Sequence, residues 1–152
     1  MALTAQIALS ILAHETSNGD LSRTLRATPA NYALTLTDGT GANQAQVVWS
    51  GTRTLAGASE TLNLTALSDT RDGSPATVSM TAVKALYVRN SGTASLSFAG
   101  APFPASGQTV AAGAVAVQCD PSAGGMAASG VTVTGSAGAA YDIVLIGEGS
   151  VA

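Results

Sequence analysis

Across 152 residues the chain holds one histidine, one cysteine and one lysine, and only 10% of it is charged. Soluble domains commonly carry about 25% charged residues, so the surface has to be covered by Ser, Thr, Gln, Asn and small apolar side chains. Most catalytic and metal chemistry has no raw material in such a composition. Cys119 has no second cysteine to bridge to, so the fold stands without an intrachain disulfide, which is compatible with assembly in a reducing cytoplasm. A nucleophilic thiol would want His14 beside it, whereas a free cysteine in an alternating, strand-like context reads as a small core hydrophobe. Aromatics make up 4% of the chain, so the core is expected to be assembled from many small branched contacts.

Clustered positive charge is missing too. The net charge is −3, and the arginines are scattered: Arg23 and Arg26 lie close in sequence, while Arg53, Arg71 and Arg89 are far apart and no aromatic residues interleave with them. Phosphate backbones are bound by grouped Lys and Arg, and nucleic acid is not an expected partner. No run approaches the roughly 18 apolar residues of a spanning helix. The apolar stretch Ala2 to Ala13 resembles a signal core, but no Lys or Arg precedes it. A soluble chain with no membrane partner is the expectation.

What the chain does contain is alternation. Leu3, Ala5, Ile7, Leu9 and Ile11 alternate with Thr4, Gln6, Ala8 and Ser10, the period of a half-buried strand. Similar runs recur at intervals of roughly ten residues, broken by Gly, Asp and Pro, as in sandwiches and barrels. Tyr32, Leu34 and Leu36 form one face that ends at Asp38-Gly39-Thr40-Gly41, and Ala45, Val47 and Trp49 resume it, which predicts a hairpin around an Asp-Gly turn. Gly39 and Gly41 form a G-x-G, but no helix follows to hold a phosphate. Ser68 to Pro75 is the most polar stretch and predicts a loop; Asp69 and Asp72 within it lack the alternate spacing and distal Glu of a calcium loop.

Further along, Val78, Met80 and Ala82 lead toward Leu86 and Val88, with Lys84 on the same parity. A bulge near Val83 would reset the face, or Lys84 snorkels at a sheet edge. Leu96 and Phe98 continue the pattern before a segment, Gly100 to Gly107, in which Pro102 and Pro104 predict an extended loop. Phe103 in that loop either plugs the end of its own barrel or stands exposed as an anchor for a partner. Pro121 to Gly130 has no periodicity and predicts a flexible connection. Val131 and Val133 make a short strand, and Tyr141 to Ile146 is apolar on both parities except Asp142, as in a central strand. The sum is an all-β, two-sheet sandwich of jelly-roll type with about eight to ten strands. It is expected to be one domain over 1–152, with residues 1–21 as an N-terminal arm or edge strand.

Three stretches together resemble small proteins encoded by tailed bacteriophages and prophages. They are Asp38 to Trp49 followed by Arg53-Thr54-Leu55 and Glu60 to Leu64, then Val83 to Asn90, then Tyr141 to Gly147. Their order and spacing match over roughly residues 31 to 147, with Asn63 standing where the related pattern usually has Asp and the loop from Pro102 to Gly107 short. The resemblance implies a virion structural protein: a capsid decoration or cement protein, or a piece of a tail or fibre. It carries no catalytic motif, and no catalytic, cofactor or metal residue is assigned.

The leading expectation is a capsid decoration or cement protein, made in the host cytoplasm and located on the capsid surface. It would form a homo-oligomer, a dimer or trimer, that bridges copies of the major capsid protein by multivalent contact. The candidate contact residues are Leu3, Ile7 and Leu9 on the N-terminal segment and Phe103 on its loop. The alternative is a tail or head-fibre module that binds a host receptor or glycan. Trp49 and Tyr32 lie on patterns that point inward, leaving Tyr87, Phe103 and Tyr141 to form a sugar platform. An enzyme would need paired carboxylates or a nucleophile with its base, and Asp69, Asp72, Asp120 and Asp142 form no such constellation.

Overall fold

The computed structural model describes residues 2–17, 23–26 and 30–152. Part of the expected arm, residues 18–21, lies outside the described residues, as does Met1. No helix occurs among the described residues. The strands are β1 (Ala5–Ile11), β2 (His14–Ser17), β3 (Arg23–Arg26), β4 (Ala30–Asp38), β5 (Gln44–Ala45), β6 (Val47–Thr54), β7 (Ser59–Asn63) and β8 (Leu67–Arg71). They are followed by β9 (Ser74–Asn90), β10 (Leu96–Ala99), β11 (Gln108–Val110), β12 (Val115–Cys119), β13 (Met126–Ala127), β14 (Gly130–Thr134) and β15 (Ala140–Val151).

The body is a β-sandwich. One sheet runs in the order β12-β9-β15-β6, with β8 and β13 also paired to β9; the other runs β11-β10-β14-β7. Alternation sends one side chain in two to the interior. Val47 and Trp49 of β6 and Tyr141, Ile143 and Leu145 of β15 meet Leu62, Leu96, Phe98, Val131 and Val133 from the facing sheet in one buried cluster. Phe98 lies at its centre, with its ring centroid 5.3 Å from Phe103 and 5.4 Å from Tyr141, the latter edge-on at 83°. Edge-to-face geometry sets the positive rim of one ring against the negative face of the other. As expected, β15 is central, antiparallel to both β6 and β9.

The long strand β9 keeps its apolar residues inside only by breaking register twice. Opposite β15, Ile146 pairs with Ala85 but Gly147 with Val83, so Lys84 is an extra residue; Glu148 pairs with Ala82 but Gly149 with Met80, so Thr81 is another. Each bulge flips the parity. The interior row therefore reads Val78, Met80, Val83, Leu86, Val88. The expected bulge near Val83 is present, but Ala82, expected on the inner row, is turned to the outer face by the second one. Gly147 sits where β15 closes on this irregularity, and a methyl group there would overlap the Ala82 carbonyl oxygen.

Several loop expectations are corrected. The polar stretch Ser68 to Pro75 is a hairpin, with Arg71 opposite Ser74 and Thr70 opposite Pro75. Its two-residue turn has Asp72 at φ 50° and Gly73 at φ 79°, the double positive φ whose twist suits paired strands. The turn at Asp38-Gly39 makes no hairpin: β4 and β5 run parallel, Thr37 beside Gln44, and β6 departs into the large sheet. The Gln44 side chain accepts the Gly41 amide at 2.7 Å, and the Asn43 amide donates to the Pro121 carbonyl at 2.8 Å, so the loop is tied to a distant segment as well as to its own strands, where the Thr37 amide donates to the Asn43 carbonyl at 3.0 Å. The Pro102 and Pro104 segment is not extended either. Phe103 N bonds Gly100 O at 2.7 Å and Gly107 N bonds Pro104 O at 2.9 Å, and these turns fold the Phe103 ring into the core. Pro121 to Gly130 is pinned in place by β13 pairing with β9 and by Lys84.

Outside the sandwich, β1 and β4 form an antiparallel ribbon, from Ala5 opposite Leu36 to Ile11 opposite Ala30. The same two chain segments pair again as β2 and β3, His14 opposite Arg26. Leu34, Leu36 and Ala45 are buried in a second cluster, against Leu3, Ala5 and Ile7 of the ribbon and Cys119 and Ile146 from the outer face of the large sheet.

Candidate interaction surface

Because side chains alternate along a strand, the ribbon has one apolar face: Ala5, Ile7, Leu9 and Ile11 of β1 lie directly beside Leu36, Leu34, Tyr32 and Ala30 of β4. The inner half of that face is covered by the sandwich. Leu36 is fully buried and Leu34 is 7% exposed. The outer half is uncovered, with Leu9 47%, Ile11 60% and Tyr32 42% exposed, and Leu12, just beyond the end of β1, is 66% exposed. Polar bonds close the ribbon on its other face, the Ser10 hydroxyl donating to Asn31 Oδ1 at 2.7 Å, and the Leu3 amide donates to Asp38 Oδ1 at 3.3 Å.

Where the ribbon leaves the large sheet it opens a wedge-shaped groove of 380 Å³. Ile7 and Leu9 form one wall; Tyr87, Val115, Val117 and Val144 form the other. No charged residue among the described ones lines it. Val115, 50% exposed, stands at the rim. A second groove of 360 Å³ lies between Leu3 and the end of β15, with Gln46 and Arg71 on its walls.

Of the candidate contact residues, Leu3 and Ile7 are half-buried against their own body and Leu9 is exposed. Phe103 is corrected: at 4% exposure it fills the core beside Phe98 and presents nothing to a partner. Tyr141 is fully buried and Tyr32 is exposed, the reverse of their expected positions. Tyr32 is on the inward-pointing face, but at that point the ribbon has passed beyond the surface that covers it. Ile11 and Leu12 stand exposed further along the same N-terminal segment, and Val115, which no sequence expectation singled out, is exposed across the groove. The alternation through Ile11 carried a signal for the first; nothing in the spacing places Val115 across from Leu9.

Several ionisable groups among the described residues are engaged in holding the fold. Glu60 accepts from Arg53 Nη2 at 2.7 Å and from the Tyr141 hydroxyl at 2.6 Å. Burial alone would raise the Glu60 carboxyl, but these bonds and the guanidinium charge outweigh it and hold the group below the ordinary carboxylate range. Burial and the neighbouring carboxylate push the Tyr141 phenol strongly upward. Lys84, the bulge residue, is completely buried. Its ammonium group donates to the carbonyls of Ser122 and Ala123 and lies 2.8 Å from Glu148 Oε1. It is neither an edge snorkel nor an open amine. Asp69 faces Arg71 at 2.5 Å, Asp120 caps the Ser122 amide at 3.1 Å, and Asp142 accepts from the Thr52 hydroxyl at 2.8 Å. Burial raises the Cys119 thiol, which keeps it protonated under the ribbon.

No family model, curated protein or solved structure matches the chain.

Proposed function

We propose that this chain is a structural subunit of a bacteriophage virion, a capsid decoration or cement protein that stabilises the head by bridging capsomers as an oligomer. The observation that carries the assembly half of this reading is the two-stranded ribbon whose apolar face runs past the body that should cover it. Such a face gains free energy only when another surface closes over it, at about 25 cal/mol per Å² of apolar area removed from water. The outer edge of β1, which pairs with no strand among the described residues, adds a row of backbone donors and acceptors for a further strand. The virion half rests on the resemblance of Asp38 to Trp49, Val83 to Asn90 and Tyr141 to Gly147 to phage-encoded proteins. The major capsid protein is the proposed partner, and the capsid surface the proposed location.

The test is a count of copies per particle by quantitative mass spectrometry on virions separated into heads and tails. Hundreds of copies in the head fraction are expected. Copies confined to tails, or none at all, would overturn the decoration reading.

A further inference from the structure

The wedge and the ribbon tip are complementary surfaces on one molecule, and we propose that the first partner of this chain is a second copy of itself. In this arrangement the outer ribbon of each copy, with Ile11 and Leu12, enters the wedge of the other between Leu9 and Val115. The inference rests on the assembly reading above and names the contact by which the oligomer forms.

Charge argues for this occupant. From Ala2 to Ala13 and from Ala30 to Thr37 the ribbon carries no charged residue, and neither does the lining of the wedge among the described residues. Edge strands of monomers are ordinarily blunted by Lys, by inward charges or by Pro, and this one has none of them. Within these spans a polyanion, a lipid headgroup or an acidic peptide would find nothing to pair with, charge resuming only at Glu15 on β2, Arg26 on β3 and Asp38; a neutral apolar surface of the same kind matches them. Ile11 follows Leu9 on the same face at about 7 Å, so the projecting side chain and its receptor lie side by side and a two-fold axis between copies satisfies both at once.

Area decides for reciprocal exchange over one-way insertion. Leu9, Ile11, Leu12, Tyr32 and Val115 are each between 42% and 66% exposed. A reciprocal exchange buries all of these side chains on both copies at once, twice the apolar area of a single insertion, and specific stable interfaces need on the order of 1,200 Å² in total.

The experiment uses the purified full chain at tens of micromolar, measured by sedimentation and light scattering. A mass that is a multiple of 14.8 kDa is expected. The double variant Ile11→Lys, Leu12→Lys and, separately, Val115→Lys should each fall to the single-chain mass with an unchanged circular dichroism spectrum. A monomeric wild type, or folded variants that keep the wild-type mass, would overturn the proposal. Should a lysine variant fail to fold, single cysteines decide. In a Cys119→Ala background, Ile11→Cys protein is mixed with Val115→Cys protein under mild oxidation. A disulfide-linked pair of unlike chains supports the exchange, and its absence overturns it. Because none of this involves particles, failure here leaves the head count as an independent test of the virion reading.

Discussion

In the sandwich body, the apolar faces of two sheets meet each other: Phe98, Tyr141, Ile143 and Leu145 are all fully buried. In the ribbon the same kind of alternation covers only half its length, from the buried Leu36 to Ile11 at 60% exposure. Strand period is therefore not what separates interior from surface. The difference is whether a second layer is present opposite, and the described residues supply that layer for the body and not for the end of the arm. The contrast also appears in the polar groups. The body can bury a lysine and a tyrosine hydroxyl because carbonyls and carboxylates meet them; the exposed half of the ribbon is closed by neutral bonds such as Ser10 to Asn31.

The comparison breaks most severely at the seam of the body. Gly147→Ala forces a methyl group into the Ala82 carbonyl, and because the obstacle is backbone, neither strand can relax by turning a side chain. A loss above about 4 kcal/mol, in the class of exceptional single substitutions, is expected as failure to recover a cooperative thermal transition. Leu36→Ala should cost about 3 kcal/mol as a buried leucine truncation, but locally. Hydrogen exchange is expected to speed up in β1 and β4 and to stay unchanged in β15. Equal acceleration in both would mean that ribbon and body unfold as one unit.

Lys84→Ala orphans two loop carbonyls and leaves Glu148, still partly solvated, without its cation. About 2 kcal/mol of denaturant stability should be lost, somewhat less than for a fully sealed pair. Lys84→Met, which keeps the volume and removes the charge, should lose no more than Lys84→Ala. The smallest effect is at Glu60→Gln, about 1 kcal/mol from weakened charge-assisted bonds. It also has a pH signature. The folded carboxyl lies below its ordinary value of 4.5, so its contribution is complete above that pH and disappears as pH falls through the lower folded value. Thermal melts of wild type and Glu60→Gln are expected to converge on acidification from pH 6 toward 3.

Much of the fold is legible in the order of residues. Alternation finds β1, β4, β6, β10, β14 and the central β15, because a half-buried strand writes its own period into the sequence. It also points to a bulge near Val83, since a lysine on a core parity has to be moved off it. It misjudges the two Asp-Gly pairs. Asp38-Gly39 looks like the hairpin and Asp72-Gly73 like part of a loop; the reverse holds, because strand pairing is chosen by partners distant in sequence, here β1 for β4 and β15 for β6. Phe103 is ambiguous for a related reason: two prolines describe how a loop is restricted, not which way it folds over a core.

By itself, then, the amino-acid sequence determined an all-β chain, its strand faces, the shortage of titratable groups and the neutrality of the N-terminal segment, all of which follow from local period and composition. Tertiary structure alone decided where cover runs out. Leu9 and Leu36 have the same chemistry and both lie on the ribbon's apolar face, and only the position of the large sheet buries one and exposes the other. It also brought Val115 across from Leu9 and enclosed Lys84 between a loop and Glu148, because such juxtapositions depend on which layers stack and where they end, and burial is a property of the neighbour as much as of the residue.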